Sequence, residues 1–509
     1  MFSRLSLALG PEIISGAGVG LWAAAIALAP SPLTKMVVLA PPLLASLLYW
    51  LLGNRNRWLT AFFAASLLLP PLPFAFGNSG PHVAPLFGLV GLFVLLVSLP
   101  AVRLRNGRLL LLLFFFCLAL LQSLIFAALY SGPEIALLSV LRIGLFALAP
   151  LVFVCTLIDG RGNMRQSIRL TRIVFRFAIC AALFACIDFY FQFPSPAGYS
   201  PQFVWLPDTV LRRAQGLFYE ASTLGNFCAF FLVFVTVALF SRARIRLCSR
   251  TELWLGGVIL SAALIFSYSR GSLLNLLGAT AALVVLRKRA SKRWLVVALG
   301  VGAAAAVFVY FAFPAFSLNY WQRLQVSFLF FRSAPEAILS GRPASWRALL
   351  EFLMQRPAHL LFGIGYKTLP YSSYIGSEVI ADNTYLSLLV ETGIIGFCAF
   401  LALNFEMLRS SLRAARSSAA LPAFFGTWFF CFWIGELLQM FSGDLITYWR
   451  VLPLFFWVLA VALRESDGAR PGIDQPMTRR PLTTAAQHHS SGRQQPVAPY
   501  ARFHGQFLD

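Results

Sequence analysis

Acidic residues are scarce in this chain: 19 Asp and Glu stand against 41 Lys and Arg in 509 residues. Charged residues of both signs make up only 12% of it, against about 25% in an ordinary soluble protein. Histidine is rarer still. The five copies form no metal-ligand pattern, and His488 and His489 fall in the polar C-terminal tail. The eight cysteines are scattered, seven of them in apolar runs, with no C-x-x-C pair. That distribution argues against a disulfide framework or a zinc site. No D-x-D motif, P-loop or G-x-S-x-G occurs, which disfavours a nucleotide-sugar enzyme built on a cytoplasmic metal site.

What fills the chain instead is apolar sequence, 59% of all residues, with a mean hydropathy of +0.75. Runs long enough to cross a bilayer, roughly 17 to 25 residues each, recur along the whole length. Run length and flanking charge predict about fourteen spans. They fall near residues 13–30, 33–52, 58–76, 82–100, 109–130, 135–158, 170–192, 221–240, 252–268, 271–286, 294–316, 384–408, 420–441 and 447–464. The first run reads as an uncleaved span, because its only cleavage-like stretch, Ala27-Leu28-Ala29, is followed by Pro30. The run from Leu253 to Leu286 exceeds one ordinary helix and is split at Ser267-Tyr268-Ser269-Arg270-Gly271.

The formal charge of +22 points to membrane orientation rather than to nucleic acid. Basic clusters such as Arg103, Arg105 and Arg108, or Arg242, Arg244, Arg246 and Arg250, lie between apolar runs at alternate connections. Cytoplasmic loops carry that excess, so both termini are expected in the cytoplasm. The expected fold is therefore an all-α polytopic membrane protein with one long periplasmic loop. Residues 1–192 read as an N-terminal transmembrane bundle and 193–464 as a second membrane domain with its loop at 317–382. The stretch 465–509, rich in Gln, Pro, Ser, His and Arg, reads as a disordered cytoplasmic tail.

Arginines that defy the inside bias collect in the two long outer segments, near 194–220 and 317–382, and at the split of the long run. They include Arg212, Arg213, Arg270, Arg323, Arg332, Arg342, Arg347 and Arg356. A guanidinium stays charged and grips phosphate oxygens with two prongs, so several can hold a diphosphate. The competing explanation is anchoring in headgroups or pairing with Glu336, Glu351 and Glu378. Within the longer segment, Trp346, Leu349, Leu350, Leu353 and Met354 recur at helical spacing between Pro343 and Pro357. This predicts a short amphipathic helix lying along the membrane surface, with Arg342 at its anion-favouring N-terminus.

Asp382-Asn383-Thr384 precedes a span and serves two readings at once. It suits a helix N-cap, and it places Asp382 as a general base able to take a proton from a sugar hydroxyl. Glu391 lies deeper in the same span, where a carboxylate needs a partner on another helix or a buried arginine. Gly363-Ile364-Gly365 is a weak phosphate-loop signal, since no strand precedes it. Arg213 to Glu220 puts a basic and an acidic residue at the mouth of the next span. Arg142, Glu406 and Glu436 fall within spans and imply helix pairing only.

Four segments together resemble the O-antigen ligase and polysaccharide polymerase superfamily of bacterial inner membranes. They are R-x-x-G-x-F-x-E at Arg213–Glu220, S-x-S-R-G at Ser267–Gly271, S-G-R-x-x-x-W at Ser340–Trp346, and G-x-G followed by D-N-x-Y-L-x-x-L-x-E-x-G at Gly363–Gly393. The resemblance implies a periplasm-facing, metal-independent glycosyltransferase that needs no cofactor. Its donor is an oligosaccharide on an undecaprenyl-diphosphate carrier, and its acceptor is a glycan, a lipid A–core or a protein side chain. Asp382, Arg270 and Arg342 would be catalytic. Arg213, Arg347, Asn383 and Glu220 would bind substrate, with Asn383 orienting the acceptor. Partners would be these substrates, the bilayer and a chain-length regulator, with no nucleic acid. Ligases typically carry histidine where this chain has Asp382, which tilts the expectation towards a polymerase. The alternatives are a ligase, a more distant cell-wall glycan polymerase and, from another class, a flippase for lipid-linked oligosaccharide.

Overall fold

A computed structural model describes residues 31, 45–52, 55–72, 81–98, 107–158, 164–195, 199–205, 210–240, 247–287, 310–311, 314–329, 342–376 and 378–466. The expected span at 13–30, most of those at 33–52 and 294–316, and the tail beyond 466 lie outside the described residues, as do Arg332 and Glu336.

Apolar runs become helices where the sequence places them. These are α1 (Arg55–Leu68), α2 (Ala84–Ser98), α3 (Gly107–Ser131), α4 (Pro133–Ile158) and α5 (Met164–Phe191). The short strands β1 (Phe203–Trp205) and β2 (Val210–Arg212) follow. The chain continues through α6 (Ala221–Phe240), α7 (Arg250–Phe266), α8 (Arg270–Leu286) and α9 (Pro314–Leu329). It ends with α10 (Arg342–Gln355), α11 (Pro357–Phe362), α12 (Thr384–Ala415), α13 (Ala420–Gln439) and α14 (Leu452–Ser466). Six of these helices, α3 to α6 with α12 and α13, are long and apolar enough to cross a membrane, and four shorter apolar helices accompany them. The chain is a multi-pass membrane protein.

Three departures from the sequence reading have simple causes. The expected span at 58–76 stops at Leu68, because Pro70, Pro71 and Pro73 cannot continue a helix. The segment before α6 is not wholly irregular: β1 and β2 pair antiparallel, Phe203 against Arg212, so the fold is nearly rather than wholly helical. Helix α12 is broken at Gly393, whose φ of 68° lies in the left-handed region.

The break expected inside 253–286 falls at residues 267–269. Ser269 caps α8 by accepting from the Ser272 amide at 3.3 Å. Helix α7 lies against α5 and α6, whereas α8 lies against α6 and α13. Helices α12, α13 and α14 pack on one another, with α3 against α12 and α4 against α14. Their common core is aromatic. Phe230, Phe231, Phe234, Trp428 and Phe455 form a continuous ring cluster, and Trp428 donates its indole N–H to the Phe230 carbonyl at 2.9 Å. The outward faces of α2 and α3 show Leu89, Phe93, Leu111, Phe114 and Ile125, as contact with lipid tails requires.

Candidate active site

Helix α10 turns Arg342 and Trp346, one turn apart, onto consecutive residues of the segment that leads into α12. Trp346 donates its indole N–H to the Ala381 carbonyl at 2.7 Å. Arg342 donates from Nε and Nη2 to the same oxygen, Oδ2 of Asp382, each at 3.1 Å. The spacing R-x-x-x-W is thus a two-point clamp. The pair is partly open, with side chains 22% and 42% exposed, and it borders a groove of about 520 Å³ also lined by Ser345, Ala348, Glu378 and Val379. Leu349, Phe352 and Leu353 bury the inner face of α10. Leu350 and Met354, which belong to the apolar stripe expected to lie along the membrane surface, are exposed, Met354 at 83%.

The Arg213–Glu220 segment docks on the break between α7 and α8. Arg213 Nε donates to the Ser267 carbonyl at 2.8 Å, and the Ala214 amide to the Phe266 carbonyl at 2.9 Å. These are carbonyls that the end of a helix leaves without helical partners. Burial lowers the Arg213 guanidinium from its ordinary value; Tyr448 and Glu220 beside it act the other way, while Arg270 and Arg342 add repulsion. Arg270 and Arg342 also repel each other. Burial pushes the Glu220 carboxyl up, although Ser222 donates to it at 2.7 Å. Three guanidiniums thus stand in mutual repulsion, partly out of water, an arrangement that a nearby negative charge relieves.

The G-x-G turn has a structural task. Gly363 and Gly393 meet backbone to backbone, so that a Cβ on Gly363 would strike the Glu391 carbonyl and one on Gly393 the Leu361 carbonyl. The break in α12 frees the Val390 and Glu391 carbonyls, which accept from the Ile364 amide at 3.1 Å and the Gly365 amide at 2.9 Å. This docking carries Lys367 into the interior, where it contacts Asp444 and lies 4.0 Å from Glu391. Burial lowers the Lys367 ammonium to about 8, with the Glu391 charge opposing. Glu391 therefore pairs with a lysine from the loop rather than with an arginine.

Lys367, Tyr268 and Asp382 have φ of 58°, 49° and 45°. Among the described residues only one further non-glycine side chain, on Gln192, shares that left-handed region. Such conformations cost about 1–3 kcal/mol each and persist where packing over-determines them.

The structure thus gathers Arg213, Glu220, Arg270, Arg342 and Asp382 at one place. Asn383 stands next to them, but its amide oxygen is engaged as the α12 cap, accepting from the Tyr385 and Leu386 amides at 3.0 and 3.2 Å. Arg347 is exposed on the outer side of α10 and is not drawn into the cluster. Sequence reasoning passed over Lys367, Asp444 and the contacts of Arg142. The available signals were a lysine just after G-x-G and an arginine within an apolar run.

Residues 255–401 match the family described as O-antigen ligase. Over this stretch the chain is similar to that family. The matched stretch contains the break at Ser267–Gly271, the α10 clamp and the Gly363–Gly393 docking, and it begins after the Arg213–Glu220 segment. Comparison with curated proteins returns no match.

Proposed function

We propose that this chain transfers a glycan from an undecaprenyl-diphosphate carrier to a sugar hydroxyl, as a polymerase of surface polysaccharide working on the periplasmic side of a bacterial inner membrane. The observation that carries this reading is the Arg342–Asp382 pair within reach of Arg213 and Arg270. Both arginine bonds fall on Oδ2 of Asp382, which leaves Oδ1 to take the acceptor proton. A carboxylate held in this way is aimed and still able to act as a base.

The leaving group is a lipid diphosphate, and its departure builds negative charge. Arg270, Arg342 and the partly buried Arg213 stabilise that charge with donors already in place. Direct attack of the acceptor oxygen on the anomeric carbon breaks the bond to the diphosphate oxygen and inverts the centre. The proton passes to Asp382, and the diphosphate leaves on its lipid. Asn383 sets the direction of Asp382 through the α12 cap, and Glu220 lies within electrostatic range of both Asp382 and Arg213. Arg347, out on the exposed side of α10, is left with headgroup or glycan contact.

The test is the purified protein in detergent with extracted lipid-linked repeat units. A ladder of products without lipid A–core supports a polymerase. Transfer only after lipid A–core is added makes the protein a ligase, which the superfamily match equally accommodates. Absence of transfer under both conditions defeats the reading, and accumulation of repeat units on the cytoplasmic face in a deletion strain would favour a flippase.

A further inference from the structure

Two half-exposed tyrosines stand beside the charged cluster. Tyr219 is 44% exposed and Tyr371 36%. Tyr219 immediately precedes Glu220 at the start of α6, and Tyr371 lies four residues after Lys367. Both rings are braced. Arg142 of α4 lays its guanidinium over Tyr371, 4.1 Å from the ring centroid, and donates from Nη1 to the Lys367 carbonyl at 2.9 Å. Tyr199 meets Tyr219 edge-on with centroids 5.1 Å apart, and Gln215 donates to the Tyr219 carbonyl at 2.9 Å. Tyr219 lies within electrostatic range of Glu220, Tyr371 and Arg142, the same Arg142 that covers Tyr371, so the two rings stand in one neighbourhood. Glu220 beside Tyr219, and the buried Lys367, both feel the charge of Asp382.

Rings fixed among charges suit a ligand that is apolar on its face and polar at its rim. A pyranose ring has that character: its C–H face meets the negative face of an aromatic ring, while its hydroxyls reach charged neighbours. Tyrosines already held by packing lose little freedom on binding. Lipid tails would gain nothing from the neighbouring Arg142 and Glu220.

We propose that Tyr219 and Tyr371 form a ledge that seats a sugar ring of the acceptor glycan next to Asp382. The ledge deepens the glycosyl-transfer reading and rests on it. It accounts for the pairing of Arg142 with the loop that carries Tyr371, a contact that the diphosphate chemistry does not use.

The experiment measures initial rates of the full-length protein in detergent against the concentration of lipid-linked repeat units extracted from a strain lacking this chain. Tyr219→Ala and Tyr371→Ala should each raise the half-saturating concentration roughly tenfold, with the maximal rate within about twofold. Tyr219→Phe and Tyr371→Phe, which keep the ring, should behave as the parent. Leu variants at the same positions fill the space without an aromatic face and carry the test if an Ala variant misfolds. Undecaprenyl phosphate added as competitor should inhibit parent and Ala variants alike. Unchanged saturation in the Ala and Leu variants, or Phe variants as defective as Ala, would overturn the ledge. Ala variants that escape inhibition by undecaprenyl phosphate would make it a lipid-phosphate site and likewise overturn it. Asp382→Ala runs in parallel: full activity there removes the glycosyl-transfer reading itself, whereas an inactive Asp382→Ala beside normal tyrosine variants removes only the ledge.

Discussion

Helices α6, α13 and α14 and the segment from Gly363 to Asn383 are built on opposite plans. The helices bury phenylalanine and tryptophan against one another, with Trp428 ringed by Phe230, Phe231 and Phe234. Their backbone needs no unusual conformation. The segment between α11 and α12 is irregular backbone, and it stays in place through carbonyls freed by a broken helix, a buried lysine and the clamp from α10. One region supplies packing energy; the other spends some of it to hold charges in chosen directions. Irregular backbone in a membrane protein survives where it is lined by protein or faces water, and there a charged substrate can enter.

That contrast can be broken from either side. The largest effect on chemistry is expected at the clamp: Asp382→Ala and Arg342→Ala should each lower the transfer rate by about 100-fold or more, with protein level and melting in detergent little changed. Loss of folding in step with activity would show the pair to be structural. In the aromatic core, Trp428→Ala should lower stability by about 3–5 kcal/mol, read from thermal unfolding in detergent, while the half-saturating substrate concentration stays put.

Lys367 tests the seam between the two regions. Its ammonium, ordinarily half-protonated near 10.5, is lowered to about 8. It is therefore cationic at neutral pH and loses its charge, and the hold on Asp444 and Glu391, as pH rises through about 8. The sign follows for stability: a depressed lysine disfavours folding below its folded value, and this penalty fades between about 8 and 10.5, where the folded protein has shed the proton that the unfolded chain still holds. Activity should thus fall on the alkaline side near pH 8, and Lys367→Arg should move that limb upward. An alkaline limb unmoved by Lys367→Arg would separate this lysine from the site. The smallest effect is expected from Arg347→Ala, within about twofold in rate and stability, since exposed charges contribute little. A large loss there would extend the site along the exposed face of α10.

Much of this architecture was legible in residue order. The runs at 109–130, 135–158, 221–240 and 420–441 reappear within a few residues as α3, α4, α6 and α13, because an apolar run of that length has few other ways to satisfy its backbone. Ser267–Gly271 marked the division of α7 from α8, and Pro343 and Pro357 bracketed α10. Hidden from the sequence were the contacts that cross it. Nothing local says that Gly363 rests on the Glu391 carbonyl or that Arg142 covers Tyr371, although the cap at Asn383 was among the readings that Asp382-Asn383-Thr384 allowed. Such contacts depend on how separate helices come together, and the same residue types would read alike in any other arrangement.

Residue order by itself therefore determined that the chain lives in a membrane, roughly where several of its long helices run, and which arginines stand apart from the general charge bias. A long apolar helix is a local solution, reached within its own run of residues. Only the tertiary structure brought Arg213, Arg270, Arg342 and Asp382 near one another, and drew Lys367 inward beside a broken helix. Charges drawn from four separate segments meet only once the bundle has closed around them.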